Sequence, residues 1–179
     1  MEKVPVGSLS KETYCRLYAP LLLPPDLGRI LYLDIDMIIT GSIREIYESN
    51  FNDILFMAVR DTSLGIEEAK KTLHMKNSDI YVNAGVLLMN LDLLRKEFDM
   101  ERLIGYAAKH PDNVLYHDQD LINKFYHERI GYLNWIYNYE ARFHSVLEIL
   151  LYPIQKKNLL KEVRIVHYMG GKKTLEAGF

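Results

Sequence analysis

Two aspartates separated by one residue, Asp34 and Asp36, end an apolar run in the stretch ILYLDIDMIITGS. If the strand that begins at Arg29 continues through Asp36, both carboxylates point to the same face, because strand side chains alternate with a period of two. Two like charges in one small site are unfavourable unless a cation lies between them or one of them takes up a proton. Carboxylate oxygens suit Mg²⁺ or Mn²⁺, which commonly bridge to substrate phosphates. The pair therefore indicates a divalent metal site, with an exposed turn as the alternative.

The segment YVNAGVLLMN places Asn83, followed by an alanine and a glycine, inside a run that otherwise suits a strand. Asparagine is disfavoured in strands, and small residues let a ligand or another backbone come close. A bulge in the sheet would explain the same pattern without any ligand. Asn83 is therefore a candidate binding residue with a structural alternative.

The segment YHDQDLIN opens a helical pattern with Asp118 and Gln119. An acidic residue at a helix start complements the helix dipole, and Asp118 could cap this helix. Capping does not account for Gln119 as well. Neighbouring polar groups at a helix start could equally hydrogen-bond the hydroxyls of a sugar.

The segment VRIVHYMGGKK brings His167, a glycine turn and two lysines into close succession. Histidine is a common transition-metal ligand, and lysine is a point-charge partner for phosphate. A lone histidine at a strand end is usually structural, but its neighbours here make a metal or phosphate site equally reasonable.

These residues must be positioned by alternating strands and helices. A helix is expected from about Lys11 to Leu22, with Pro20 in its last turn, and Thr62–Ser78 is expected to be an irregular loop that could carry binding function. Ser42 is expected to cap a short helix. The remaining predicted elements are the helices SIREIYES, DMERLIGYAAKH and HDQDLINKFYHE and the strands DILFMAVRD, DIYVNAGVLLMNL, RIGYL and VRIVHY. This succession predicts an α/β domain with a mostly parallel sheet, whose ligands lie beyond the carboxyl ends of strands.

The composition fits one globular domain over residues 1–179, since 49% of the residues are hydrophobic and 26% are charged. A net charge of −2 gives no electrostatic basis for binding nucleic acid. The single cysteine, Cys15, is compatible with a reducing compartment. No apolar run reaches the roughly 18 residues of a transmembrane helix, and the first residues lack the apolar core of a signal peptide. We therefore expect a soluble, cytoplasmic protein.

The strand ending in DID, then NAGVLLMN, HDQDLIN and HYMGGKK resemble, in order and spacing, the motifs of glycosyltransferase family 8. That family includes bacterial lipopolysaccharide glucosyl- and galactosyltransferases and the glycogenins, and the resemblance extends from about Thr13. It implies a GT-A-like α/β fold with a mixed, mostly parallel sheet. It also implies that glucose or galactose is transferred, with retention of configuration, from a UDP-sugar to a saccharide or glycolipid acceptor in lipopolysaccharide or surface polysaccharide synthesis.

The resemblance also assigns the metal and diphosphate residues. Asp34, Asp36 and His167 match the family's ligands for Mn²⁺, with Mg²⁺ as the alternative, and Gly170 and Lys173 match residues that close over the diphosphate. The family's last motif continues from this lysine into Pro-Trp, whereas TLEAGF follows here.

The remaining matches lie around the transferred sugar. Asp61, Asn83 and Asp118 match positions that contact the donor sugar, and Gln119 matches a position beside the anomeric carbon. An amide is a poor nucleophile, so attack by the acceptor from the face of the leaving group is favoured over a covalent intermediate. Asp118 is the alternative nucleophile.

A haloacid-dehalogenase-type phosphohydrolase is the alternative from another class, because LYLDIDMIITGS also resembles that superfamily's first motif. There, the first aspartate would be the nucleophile. Met37 stands where that motif usually has glycine, and no later paired-aspartate motif follows a convincing lysine motif. Both features count against it.

Members of family 8 carry an upstream half with uridine-binding strands, whereas only ten residues precede the first helix expected here. We therefore expect an N-terminally truncated, partial catalytic domain with an unpaired sheet edge. Such a chain would bind UDP-sugar weakly, self-associate, or act only as an inactive or partner-dependent fragment. A glycolipid acceptor would add peripheral contact with the inner face of a membrane.

Overall fold

The computed structural model describes residues 11–141 and 161–168. The strands are β1 Arg29–Leu33, β2 Met37–Ile39, β3 Phe56–Arg60, β4 Val82–Asn90, β5 Ile130–Leu133, β6 Tyr139–Glu140 and β7 Ile165–His167. The α-helices are α1 Ala19–Leu22, α2 Arg44–Tyr47, α3 Ile66–Thr72, α4 Leu91–Glu97, α5 Met100–Lys109 and α6 His117–Tyr126. Short 3₁₀ helices cover Lys11–Tyr18, Pro111–Asn113, His127–Arg129 and Trp135–Tyr137. The alternation of strands and helices confirms the predicted α/β class.

The strands form two sheets, one in the order β1-β4-β3-β5 and one in the order β2-β7-β6. Strand β4 runs antiparallel to β1 and β3, while β3 and β5 are parallel. In the small sheet β7 is antiparallel to β2 and parallel to β6. The predicted mixed sheet is confirmed, but the parallel majority is not seen among the described strands. Alternation along the chain does not fix strand direction, and the central strand β4 runs against both of its neighbours.

Strand β4 lies between β1 and β3 in the large sheet, and all nine of its residues are buried. One face of the large sheet packs on the N-terminal 3₁₀ helix and on helices α4 to α6. The other face packs on the small sheet through a second cluster that includes Val59, Val86, Tyr137 and Ile165. The large sheet is therefore covered on both sides, and the candidate site lies where the two sheets meet.

The predicted N-terminal helix is present in two parts, a 3₁₀ helix over Lys11–Tyr18 and the single turn of α1. Pro20 lies in the first turn of α1, where proline is tolerated because the missing N–H would have had no helical partner. The change from 3₁₀ to α geometry therefore accommodates the proline that a continuous helix would have placed in its last turn.

The prediction of an irregular loop over Thr62–Ser78 is wrong, because this segment contains helix α3. Ile66, Ala69 and Leu73 lie on one face of this helix and pack against Tyr81. Acidic residues in its first turn and lysines in its last turn complement the helix dipole. The helical period was present in the sequence, but charged residues between the apolar positions obscured it.

The other expected helices and strands are confirmed within the described residues, and α4 is an addition directly after β4. The Asn90 side chain caps α4 by accepting a hydrogen bond from the Leu93 amide. The prediction that Ser42 caps α2 is wrong by one residue, because the N-cap position is Ile43. Ser42 lies just before it and accepts from the Arg44 amide at 3.3 Å. No helix in the described ranges is long and apolar enough to cross a bilayer.

Candidate functional site

The two aspartates lie in a turn between the sheets. The predicted strand does not continue through Asp36: β1 ends at Leu33, and a turn connects it to β2. The Asp34 amide donates to the Gly85 carbonyl, and the Asp36 carbonyl accepts from the Tyr168 amide. Ile35, which lies between the aspartates, is apolar but fully exposed, so the sequence there resembled the alternating pattern of a strand. The two carboxylates are nevertheless brought together, by the turn and not by strand alternation.

His167 completes a cluster with these carboxylates from the end of β7. Its Nε2 lies 3.3 Å from Oδ1 of Asp36 and 3.9 Å from Oδ2 of Asp34. One ligand atom from each of the three residues lies within 4.8 Å of the others. Burial lowers the pKa of His167, which favours the neutral imidazole that metal coordination requires.

The donor set fits a divalent cation. Carboxylates and imidazole are common ligands of divalent cations, and a bound cation would offset the repulsion between the aspartates. Tyr32 donates to Oδ1 of Asp34 at 2.8 Å, and this same oxygen lies 3.3 Å from Nη1 of Arg16. Asp34 is thus partly neutralised by the protein, whereas the Asp36 side chain is 48% exposed.

Strand β4 carries Asn83 into the same cleft through an irregularity in its pairing. Ala58 of β3 pairs with Leu87, while the next residue, Val59, pairs with Asn83. Three residues of β4 therefore lie opposite a single step of β3, which is the bulge that the sequence left open as an alternative. The bulge and the binding role are compatible, because bulges redirect backbone groups and side chains at functional sites.

Asp61 lies just beyond β3 and is 4% exposed. Its Oδ2 accepts from Nδ2 of Asn83 at 3.3 Å and from Nε2 of Gln119 at 3.2 Å. Oε1 of Gln119 accepts from the Ala84 amide at 2.8 Å. These side chains from β3, β4 and α6 therefore form one hydrogen-bonded group.

The prediction that Asp118 caps helix α6 is wrong. The N-cap position is Tyr116, and Asp118 lies inside the helix with 2% exposure. Its Oδ2 is 2.5 Å from Nε of Arg16. Burial raises the pKa of Asp118 to about 7, and the neighbouring guanidinium opposes this shift. The carboxyl group is directed into the cleft by its tertiary partner instead of closing the helix end.

Arg16 is a site residue that the sequence reasoning missed. Besides approaching Asp34 and Asp118, it donates to the Ala84 carbonyl at 2.6 Å and stacks over the Tyr32 ring at 4.4 Å. The signal available in the sequence was the family-like stretch YCRLYAPLLLP around this arginine. The guanidinium of Arg16 thus lies between Asp34 of the candidate metal cluster and Asp118.

The cleft has a volume of about 250 Å³. The predicted site residues that line it are Asp34, Asp61, Asn83, Asp118, Gln119 and His167. His117 also lines it, with a left-handed φ of 55°. Such a conformation is uncommon outside glycine and is often found at functional sites. Gly170 and Lys173 lie outside the described residues.

The comparisons with known proteins identify the family. The chain belongs to glycosyltransferase family 8, whose model matches residues 6–174. It is 26% identical over 167 residues to lipopolysaccharide 1,2-glucosyltransferase of Escherichia coli strain K12, covering 92% of this chain and 49% of that protein. It is 27% identical over 177 residues to general stress protein A of Bacillus subtilis strain 168, covering 92% and 59%. The family favours the transferase interpretation over the phosphohydrolase.

A solved structure of the galactosyltransferase LgtC in complex with donor and acceptor sugar analogs has the same fold. The TM-score is 0.73 with 25% identity, over 93% of this chain and 62% of that one. The GT-A-like fold is therefore confirmed. The chain spans between about half and three fifths of the length of these relatives.

Proposed function

We propose that this chain carries the metal and donor-sugar site of a retaining hexosyltransferase that moves glucose or galactose from a UDP-sugar to a saccharide or glycolipid acceptor. The observation that carries this proposal is the clustering of Asp34, Asp36 and His167 beside the cleft. Asp34 and His167 line this cleft together with Gln119. The histidine nitrogen favours Mn²⁺ over Mg²⁺, because imidazole suits transition metals better.

The chemistry follows from charge. A divalent cation held by the three ligands would stabilise negative charge on the departing diphosphate. Asp61 and Asn83 present fixed polar groups to the hydroxyls of the donor sugar, and their mutual hydrogen bond at 3.3 Å keeps them in place. Gly170 and Lys173 are proposed to act on the diphosphate, with lysine supplying a positive charge.

Same-face attack by the acceptor remains the proposed mechanism. The Gln119 amide is held by Asp61 and the Ala84 amide, where it can stabilise developing positive charge on the sugar through its carbonyl dipole. Asp118 is engaged by Arg16, which disfavours its alternative role as nucleophile. A glycosyl adduct trapped on Asp118 and detected by mass spectrometry would replace this mechanism with a covalent one.

The acceptor and location are inferred from chemistry and from a relative's name. The Escherichia coli relative is named a lipopolysaccharide glucosyltransferase, which supports a role in lipopolysaccharide or surface polysaccharide synthesis. A glycolipid acceptor would place the protein at the cytoplasmic face of a membrane in peripheral contact.

A partner-dependent or inactive fragment is the second candidate. Strand β1 pairs with β4 on one side, and no strand within residues 11–141 and 161–168 pairs with its other side. An unpaired edge supports self-association or completion by another polypeptide.

The test is UDP release by the 179-residue chain with Mn²⁺, UDP-glucose or UDP-galactose, and simple sugar acceptors. Turnover of about 1 per second or faster from a monomer would show that the chain is sufficient. Mn²⁺-dependent UDP binding without turnover would support the partner-dependent fragment. Absence of both would contradict the proposed site.

A further inference from the structure

We call Asp34, Asp36 and His167 the metal side of the proposed site, and Asp61, Asn83, Asp118 and Gln119 its sugar side. A series of side-chain hydrogen bonds connects His167 on the metal side with Gln119 on the sugar side. Nδ1 of His167 lies 2.9 Å from Oδ1 of Asn138, and Nδ2 of Asn138 donates to Oδ1 of Asn83 at 2.9 Å. Asn83 and Gln119 then both donate to Oδ2 of Asp61. Asn138 is 3% exposed, and it is the one residue in this series of hydrogen bonds that no sequence motif indicated.

The direction of these hydrogen bonds is fixed by a backbone group. The Gly85 amide donates to the side chain of Asn83 at 2.9 Å, and a backbone N–H can only donate. The accepting atom of Asn83 is therefore its carbonyl oxygen, so the end of Asn138 that meets this oxygen must be its NH₂ group. The other end of Asn138, facing His167, is then its carbonyl oxygen.

The same logic determines the imidazole. A carbonyl oxygen only accepts, so Nδ1 of His167 carries the proton in the neutral ring, and Nε2 keeps its lone pair. Nε2 is the nitrogen that faces Asp34 and Asp36. The Gly85 amide thus selects, through the side chains of Asn83 and Asn138, the tautomer that a metal ligand requires.

We propose that Asn138 is a positioning residue that fixes the tautomer and ring orientation of His167. This inference rests on the proposed metal site. Asn138 couples that site to the sugar side of the cleft, because its amide orients Asn83 as well. Hydrogen-bond partners of metal ligands typically contribute 10–100-fold to metal affinity.

A purely structural role for the Asn138 side chain is disfavoured by how the local turn is built. The hydrogen bond that ends the 3₁₀ helix Trp135–Tyr137 uses the backbone amide of Asn138, which donates to the Trp135 carbonyl. The side chain that caps the start of this helix belongs to Asn134. Replacing the side chain of Asn138 therefore leaves the hydrogen bonds of this turn intact.

The first test uses the unaltered 179-residue chain without metal. Nitrogen-15 NMR of the histidine rings, assigned with a His167→Gln variant, is expected to show a protonated Nδ1 and an unprotonated Nε2 for His167 at a pH where the ring is neutral. A protonated Nε2 would overturn the proposal. This measurement does not depend on metal binding, so it decides the inference even if the chain binds no Mn²⁺ and the proposed metal site fails.

The second test compares Asn138→Ala with Asn134→Ala by calorimetric titration with Mn²⁺. Asn138→Ala is expected to weaken binding by about 10–100-fold and to give a mixture of His167 tautomers. Asn134→Ala removes a cap in the same turn without touching His167, so its Mn²⁺ affinity and tautomer are expected to match the parent. Equal Mn²⁺ affinity and an unchanged tautomer in Asn138→Ala would overturn the proposal. If Asn138→Ala does not fold, the parent tautomer decides.

Discussion

The sugar side and the metal side of the cleft are held in opposite ways. On the sugar side, Asp61, Asn83 and Asp118 are each less than 5% exposed and have partners from other elements of the fold. On the metal side, the side chains of Asp34 and Asp36 are 26% and 48% exposed, and their like charges lie close together. The polar groups of the sugar side have partners within the protein. The metal side keeps a half-exposed negative charge at Asp36, which a bound cation would balance.

This difference separates folding from function. Buried polar groups are costly to leave without partners, so changes on the sugar side are expected to reduce stability. Exposed like charges repel each other in the absence of a cation, so removing one is expected to cost metal affinity without reducing stability. The predictions below test this separation.

Gly85→Ala is expected to have the largest effect on Mn²⁺ affinity, because Gly85 lies between the two halves. A Cβ at this position would lie 2.5 Å from Cε1 of His167 and 2.9 Å from both Oδ1 of Asn83 and Oδ2 of Asp34. We expect Mn²⁺ affinity measured by calorimetry to fall by about 100-fold or more, at or beyond the upper limit for an altered outer partner. Overpacking is expected to lower the free energy of unfolding in urea by about 1–3 kcal/mol.

The matched control is Gly105→Ala in helix α5, where a Cβ meets no atom within 4 Å. It is expected to keep Mn²⁺ affinity and to gain up to about 1 kcal/mol of stability, because alanine is the better helix former. If Gly85→Ala binds Mn²⁺ like the parent, the close approach of β4 to the metal side is wrong.

Asp36→Asn is expected to affect the metal side alone. Losing one charged ligand should weaken Mn²⁺ binding by about 10–100-fold, as for other changes around metal ligands. The free energy of unfolding should stay within about 0.5 kcal/mol of the parent or rise, because an exposed like charge is removed. The exposed Asp26→Asn is the control, with both quantities unchanged. A clear loss of stability in Asp36→Asn would contradict the proposed separation.

The sequence was informative where chemistry depends on residue type near an element's end. The clustering of Asp34, Asp36 and His167, and of Asp61, Asn83, Asp118 and Gln119, was anticipated by motifs and family resemblance, and the structure brings each set together. Their chemical roles stay predictions. The α/β class also followed from alternating patterns, because hydrophobic periodicity is a local signal.

The sequence was uninformative where a partner is distant along the chain. Arg16 contacts the carbonyl of Ala84, 68 residues away, and Asn138 contacts His167, 29 residues away. Neither residue type announces such a role, since arginines and asparagines are common on surfaces. Only tertiary packing distinguishes these two from the others.

Asn123→Ala is expected to affect stability and spare the metal side. This fully buried side chain accepts from the Val82 amide at 2.8 Å and donates to the Val82 carbonyl at 2.9 Å, which joins α6 to β4. Its loss leaves buried backbone groups without partners, so the free energy of unfolding should fall by about 2–4 kcal/mol. Mn²⁺ affinity of the folded fraction should change little. The exposed Asn77→Ala should change neither quantity, and a large loss of affinity in Asn123→Ala would show that the halves are coupled through α6.

The smallest expected effect is on the pH dependence of stability, through Asp118. Burial raises its pKa to about 7 although Arg16 lies beside it, so between about pH 4 and 7 the folded state binds more protons than the unfolded state. Its contribution to the free energy of unfolding should therefore decrease as the pH rises through this window. A one-unit change in pKa corresponds to about 1.4 kcal/mol, so the parent should lose about 1 kcal/mol or more relative to Asp118→Asn.

Urea unfolding of the parent and of Asp118→Asn at several pH values between 4 and 8 measures this difference directly. The difference should change up to about pH 7 and then level off, because Asp118 is ionised above that value. If the parent instead gains stability over Asp118→Asn as the pH rises, Arg16 outweighs burial and holds the carboxyl ionised. In that case the sugar side, like the metal side, would be governed by its charges, and the contrast between the two halves would lie in exposure alone.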